Sequence, residues 1–326
     1  MTTGTFKLKP GERLGDYIII DVLGPSAGGM SRVMKAQIPG NPDTAALKVS
    51  RTGPDAHYFF AAIHREVEIL RQISHPGIVQ LRRVSGSTNP YKTRAVGLHG
   101  APWYFGMEFL EGGSLAKYLV QVGTLYVSDG IGVSLCICDA LLRLHENGYV
   151  HNDVKPENVL FRTQPLTGSE YTPVLVDFGI AGSVHKLQHN GSLAYMAPER
   201  LRSRKMDGKE DFRRQCGGKS DVWSMGVLMY RLFSGKEPFL HISDRSMADR
   251  ILGMRPRRII KTRPDIPVLL EEMILEGCLA KDPAFRVDMQ ELFSFLSAYS
   301  PSGIVEQRRP QGLIDQFKNY FAVGAC

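Results

Sequence analysis

Within eight residues, His151 to Asn158, the chain sets an imidazole, an amide, a carboxylate, an ammonium and a second amide. Pro156 forbids a helix from running through the middle, so Asp153, Lys155 and Asn158 share one short polar loop between apolar shoulders. A carboxylate placed this way can orient a hydroxyl, an ammonium can meet charge developing on a phosphoryl group, and an amide carbonyl can coordinate a metal ion. Those are the parts that in-line phosphoryl transfer requires. Two more motifs follow in order. Asp177-Phe178-Gly179 comes after the apolar run Val174-Leu175-Val176, and Ala197-Pro198-Glu199 comes later still.

The loop Tyr149-Val150-His151-Asn152-Asp153-Val154-Lys155-Pro156-Glu157-Asn158 resembles the catalytic loop of protein kinases, and the two later motifs resemble the same family's signature. The resemblance covers about residues 17–298. It implies an α+β, bilobal fold: a small β-rich N-lobe (17–107), a hinge (108–113) and a larger helical C-lobe (114–298). A lead-in (1–16) and a tail (299–326) flank it. It also implies ATP and Mg2+ as cofactors. Asp153 would orient the substrate hydroxyl and accept its proton, Lys155 would stabilise the transferring group, and Asp177 and Asn158 would hold magnesium.

Several elements must position these residues. Residues 1–12 are polar and read as loose. Tyr17-Ile18-Ile19-Ile20-Asp21-Val22-Leu23 is β-branched and strand-like. Next comes the cluster Gly24-Pro25-Ser26-Ala27-Gly28-Gly29, then a second strand through Val33. Such a cluster is by itself a hairpin turn; in the family it lies over the nucleotide phosphates, with Gly24, Gly28 and Gly29 as the contacts. This copy departs from the pattern, with Ser31 where the last glycine usually stands. Lys48 lies within the apolar strand Ala45-Ala46-Leu47-Lys48-Val49, fifteen residues beyond Val33. Alone it could face solvent; by resemblance it contacts the α and β phosphates. Its expected counter-charge is Glu66, on an amphipathic helix through His64–Leu70, with Leu70 facing the core and Glu68 turned to water.

The Gly-, Ser-, Asn- and Pro-rich stretch 85–102 reads as a long surface loop. Strand Trp103–Met107 then leads to the hinge, where Met107 guards the back pocket and backbone groups of Glu108 and Leu110 bind adenine by resemblance. Val33, Ala46 and Leu160 complete that nucleotide set. In the second lobe, Ser114–Val122 and Val127–Asn147 have helical periodicity. Phe161 to Pro173 forms a hairpin loop. Asp221-Val222-Trp223-Ser224 resembles the family's buried central helix. Arg286 in Lys281-Asp282-Pro283-Ala284-Phe285-Arg286 resembles the arginine that pairs with the Ala-Pro-Glu glutamate, Glu199. Glu199, Asp221 and Arg286 are thus expected to be structural.

Composition narrows the class. The 326 residues are 43% hydrophobic, enough for a sizeable core, and 40 Lys plus Arg against 33 Asp plus Glu give +7. That mild excess fits a solvated basic face or an anionic partner. No nucleic-acid partner is implied. Five cysteines form no CxxC pair, as expected in a reducing cytosol; Cys136 and Cys138 read as small hydrophobes. No apolar stretch reaches the roughly 18 residues of a membrane span, and neither end carries a signal core or lipidation motif. A cytoplasmic location is the expectation.

Lys155 two residues after Asp153 resembles the serine/threonine branch, which implies protein serine and threonine hydroxyls as substrates. Ser192 stands where that branch keeps a bridging hydroxyl; a turn serine is the other reading. Most regulated kinases have arginine at the position of Asn152, where it binds a phosphate on the activation segment. Asparagine brings no charge, and Ile180–Met196 spans only seventeen residues. Activity independent of segment phosphorylation is therefore expected. A nucleotide-responsive scaffold without catalysis and a small-molecule kinase are the alternatives. Residues 200–214 are basic and either steer acidic peptides or form a solvated loop. In the tail, Leu313, Ile314, Phe317, Tyr320 and Phe321 mark one face of an amphipathic helix. Residues 311–323 would dock on the large lobe, a partner or a second copy, or a membrane surface.

Overall fold

The computed structural model describes residues 8–23, 31–86, 88–166, 171–181, 193–203, 217–240 and 246–299. The chain divides into two compact units, residues 1–111 with 176–181, and residues 112–175 with 182–326. The boundary falls inside the expected hinge. Gly24, Gly28, Gly29, Ser192, most of the basic stretch 200–214 and the tail segment 311–323 lie outside the described residues.

The first unit is an antiparallel sheet with one helix. Its strands are β1 (Arg13–Leu14), β2 (Tyr17–Val22), β3 (Ser31–Gln37), β4 (Thr44–Ser50), β5 (Leu81–Arg82), β6 (Lys92–Arg94) and β7 (Trp103–Glu108), with α1 (Ala56–Gln72) between β4 and β5. They run in the order β1-β2-β3-β4-β7-β5, with β6 also paired to β7. Strand β4 lies between β3 and β7 and is buried along almost its whole length. Its small residues Ala45 and Ala46 let the layers approach, and Leu47 and Val49 fill one face.

Three expectations change here. The lead-in is not loose throughout: β1 pairs with β2, and Leu8 and Leu14 join the core beneath the sheet. Two apolar side chains in a polar stretch give no periodicity; only the facing sheet shows where they go. Stretch 85–102 is not simply a loop either. Lys92-Thr93-Arg94 pairs with Trp103–Phe105, and Lys92, Thr93 and Ala95 are buried. Three residues are too few for a strand signal, and the pairing is set by β7. Finally, α1 starts at Ala56, eight residues ahead of His64, since nothing between Pro54 and Gln72 breaks a helix.

The second unit is mainly helical: α2 (Leu115–Val122), α3 (Val127–Glu146), α4 (Pro198–Ser203), α5 (Lys219–Ser234), α6 (Met247–Gly253), α7 (Val268–Glu272), continued by a π-helical turn Met273–Cys278, and α8 (Met289–Tyr299). A hairpin of β8 (Val159–Phe161) and β9 (Pro173–Leu175) accompanies them. Ser114 caps α2, its hydroxyl accepting the Lys117 N–H at 3.2 Å. Thirteen of sixteen residues in α5 are buried, so this helix is enclosed all round. Gly226 allows that: a Cβ there would lie 2.6 Å from Cys278 Cβ. Gly112 likewise lets the chain pass β8, where a Cβ would meet the Thr163 carbonyl at 2.1 Å. Asp139 stands on the exposed side of α3, and Cys138 packs in the core. Among the described residues, no helix is long and apolar enough to cross a membrane.

Because Leu14 is buried in the sheet core, Leu14→Ala should destabilise the protein by about 2–5 kcal/mol in urea titration. A cost below about 0.5 kcal/mol, the range of surface substitutions, would show that the lead-in is peripheral.

Candidate active site

Lys48 sits mid-strand in β4 and is only 5% exposed. An ammonium there needs counter-charge, and it has two. Its Nζ donates to Glu66 Oε2 of α1 at 2.6 Å and to Asp177 Oδ1 at 2.8 Å. Burial disfavours the charged ammonium, but Asp177 and Glu66 outweigh it and hold the Lys48 pKa above the ordinary value. Burial pushes Glu66 up, opposed by Lys48. Glu66 Oε1 also accepts the Phe178 N–H at 3.2 Å, tying the Asp-Phe-Gly motif to α1. Asp177 lies two residues beyond β9, which ends at Leu175, and has φ +66°, a left-handed conformation that aspartate tolerates. Its side chain stays 43% exposed.

Helix α1 is anchored beyond Glu66. Lys92 of β6 pairs with Glu68 at 3.3 Å, Arg94 lies over the Phe60 and Trp103 rings at 5.7 Å each, and His64 meets Trp103 edge-on at 4.5 Å. Arg65 donates to the Gly179 carbonyl at 3.1 Å. Burial, then Lys92, lowers the His64 pKa. Glu68, expected to face water, is exposed but paired with Arg71 and Lys92.

Of the expected nucleotide set, Val33 is opposite Lys48 and Ala46 opposite Met107 in the sheet, and Ala46 and Met107 are buried. The Glu108 N–H donates to the Gln80 carbonyl at 2.9 Å, while its carboxylate accepts the Gln80 N–H at 2.9 Å. Leu110 is buried at the end of this unit.

The second unit holds the polar loop. Asp153 is 8% exposed; its Oδ2 accepts from Lys155 Nζ at 2.6 Å and Asn158 Nδ2 at 2.8 Å. Asn158 Nδ2 also donates to the Asp153 carbonyl at 2.9 Å. With its amide nitrogen turned to Asp153, Asn158 keeps its carbonyl oxygen as the atom to offer a metal. Leu160 lies in β8, bridged to Ser114.

Asp221 has no exposed surface. Its Oδ2 is 2.9 Å from His145 Nε2 and accepts the His151 N–H at 2.8 Å; Oδ1 accepts the Asn152 N–H at 2.8 Å. Burial raises its pKa, but the His145 hydrogen bond and charge, with His151 and the backbone bond, bring the net value below the ordinary carboxylate. Glu199 and Arg286 form a buried two-pronged pair at 2.8 and 3.0 Å. Spacing did not reveal Lys92, Arg94 or Arg65 as supports, nor Arg200, whose Nη1 donates to the Asn152 carbonyl at 2.5 Å. The one available signal was that Arg200 directly follows Ala-Pro-Glu.

The family model for the protein kinase domain matches residues 17–295. The chain belongs to the protein kinase family. The serine/threonine-protein kinase PrkC of Bacillus subtilis is 28% identical over 293 residues, 86% of this chain and 40% of the relative. PkaA of Streptomyces coelicolor, also a serine/threonine-protein kinase, is 31% identical over 79% of this chain and 44% of its own. The calcium/calmodulin-dependent protein kinase type 1B of Rattus norvegicus is 31% identical over 86% of this chain and 74% of the relative. This kinase chain thus spans less than half of the two bacterial relatives. The crystal structure of Rad53 1-466 in complex with AMP-PNP aligns with a TM-score of 0.64 at 25% identity, over 85% of this chain and 64% of that one.

Asp221, with its folded pKa below the unfolded value of 3.8, contributes stability above that pH and loses it as pH falls through the folded pKa. Asp221→Asn should therefore lower stability at pH 7 and flatten the acid loss seen in the parent protein. Identical pH–stability curves for the two would contradict this role.

Proposed function

We propose that this chain is an ATP- and Mg2+-dependent serine/threonine protein kinase, with its kinase domain over residues 17–298. It transfers the γ-phosphoryl group to hydroxyls of protein substrates. The observation that carries the reading is Lys48 hydrogen-bonded at once to Glu66 and Asp177. That arrangement holds a charged ammonium ready for phosphate oxygens at no cost of reorganisation. The trio has one positive and two negative groups, a formal charge of −1, and Asp177 remains partly exposed. Its carboxylate and the Asn158 carbonyl are hard oxygen donors of the kind magnesium takes. When bound, Mg2+ neutralises charge on the nucleotide phosphates.

On the acceptor side, Asp153 orients the substrate hydroxyl and takes its proton as the new bond to phosphorus forms. Lys155, on the same oxygen as Asn158, holds that carboxylate in place and lends charge to the transferring group. Positioning and electrostatics supply nearly all the acceleration. Lys155 and the serine/threonine-protein kinases among the relatives support hydroxyls of serine and threonine over tyrosine. Asn152, neutral and without charge for a phosphate, supports activity that does not depend on segment phosphorylation.

With γ-labelled ATP and a serine or threonine peptide, Asp153→Ala should reduce kcat by about a hundredfold or more while leaving the Kd for nucleotide nearly unchanged. Asp177→Ala should lose Mg2+-dependent nucleotide binding as well. Wild-type protein that binds ATP yet phosphorylates no serine or threonine would refute the reading.

Phosphatase-treated protein should keep its rate within about twofold. A tenfold loss, about 1.4 kcal/mol in the barrier, would instead assign the activation segment a regulatory phosphate.

A further inference from the structure

We infer that Arg200 is a positioning residue for Asp153, holding from α4 the left-handed peptide that precedes the catalytic carboxylate. The inference rests on the kinase reading above. Asn152 has φ +67°, a left-handed conformation that asparagine visits more readily than most non-glycine residues but that still costs more than the right-handed one. The peptides on either side of it are both held. Its N–H donates to Asp221 Oδ1 at 2.8 Å, and its carbonyl accepts the Arg200 guanidinium at 2.5 Å, a charge-assisted bond.

The Asn152 side chain is turned into the protein. Nδ2 donates to the Val150 carbonyl and Oδ1 accepts from Ser220, both at 3.4 Å. These bonds are long and neutral, so the charged contact on the carbonyl is the stronger constraint. The next residue is Asp153, whose N–H reaches His151 Nδ1 at 3.3 Å and whose carboxylate is set by Lys155 and Asn158. A rotation of the 152–153 peptide would swing that carboxylate.

Arg200 is itself on a fixed base. The preceding residue, Glu199, is locked by Arg286, which also binds the Lys219 carbonyl at 2.6 Å and the Ala280 carbonyl. A cation is thus delivered to the loop from α4, at the residue where arginine is replaced by asparagine. It reaches the backbone and needs no phosphate between.

The test uses the full chain. Arg200→Ala should lower kcat about tenfold, with KM for ATP and peptide and the melting temperature little changed. Arg200→Lys, which keeps a charged donor, should recover most of the loss. Glycine takes positive φ without strain, so in an Asn152→Gly background Arg200→Ala should cost clearly less than in the parent. Wild-type kcat in Arg200→Ala, an equal defect in Arg200→Lys, or an undiminished loss in the Asn152→Gly background would each overturn the inference. Should Arg200→Ala fail to fold, Arg200→Gln carries the same comparison, and a kcat equal to the parent's would refute it. A parent protein with no phosphotransfer would remove the kinase reading and this inference together; an active parent with an unaffected variant would remove this inference alone.

Discussion

The second unit depends on a carboxylate with no access to water. Asp221 is fully buried, and an ionised group in that position is sustained only by donors aimed at it. It has His145 at the end of α3 and the backbone N–H groups of His151 and Asn152. Since α5 is enclosed on all sides, it cannot shift without disturbing the packed core. The polar loop takes its rigidity from that helix through two hydrogen bonds. The left-handed Asn152 is held through its N–H by Asp221 and through its carbonyl by Arg200.

Charge organises the first unit in a different way. Lys48 lies on a strand, Glu66 on a helix and Asp177 on a returning segment, and all three meet within hydrogen-bond distance. Withdrawing α1 would strand one charge of a buried set, which is more costly than never forming the pair. The extra strand β6 adds contacts on the outer turns of the same helix through Lys92 and Arg94. A reacting group held by packed neighbours and secondary hydrogen bonds is better aimed than one held by its own rotamer preference. Each unit therefore carries its own hydrogen-bonded charged set, around Lys48 in the first and Asp153 in the second.

The buried pair of Glu199 and Arg286 extends the same logic to α4. Two charges at 1% exposure or less are no strong source of net stability. They do fix the base from which Arg200 reaches the Asn152 carbonyl, since Glu199 and Arg200 are consecutive on α4.

Residue types and local spacing were enough to bring out the polar loop. Asp153, Lys155 and Asn158 lie within six positions of one another, so a turn brings them together whatever surrounds it. The strand over Tyr17–Val22 was legible in its β-branched run, and the buried α5 in the resemblance of Asp221-Val222-Trp223-Ser224 to the family's central helix. Tertiary structure alone decided where Leu8 and Leu14 go, that Lys92-Thr93-Arg94 becomes a strand, and which donors satisfy Asp221. It also turned Arg200 from one member of a basic run into a ligand for a backbone carbonyl. Those outcomes depend on partners 48 to 70 residues away for the loop contacts, and on a facing strand or sheet surface for the others. A side chain's chemistry is written in its identity, but its partner is set by which distant surface the folded chain brings alongside it.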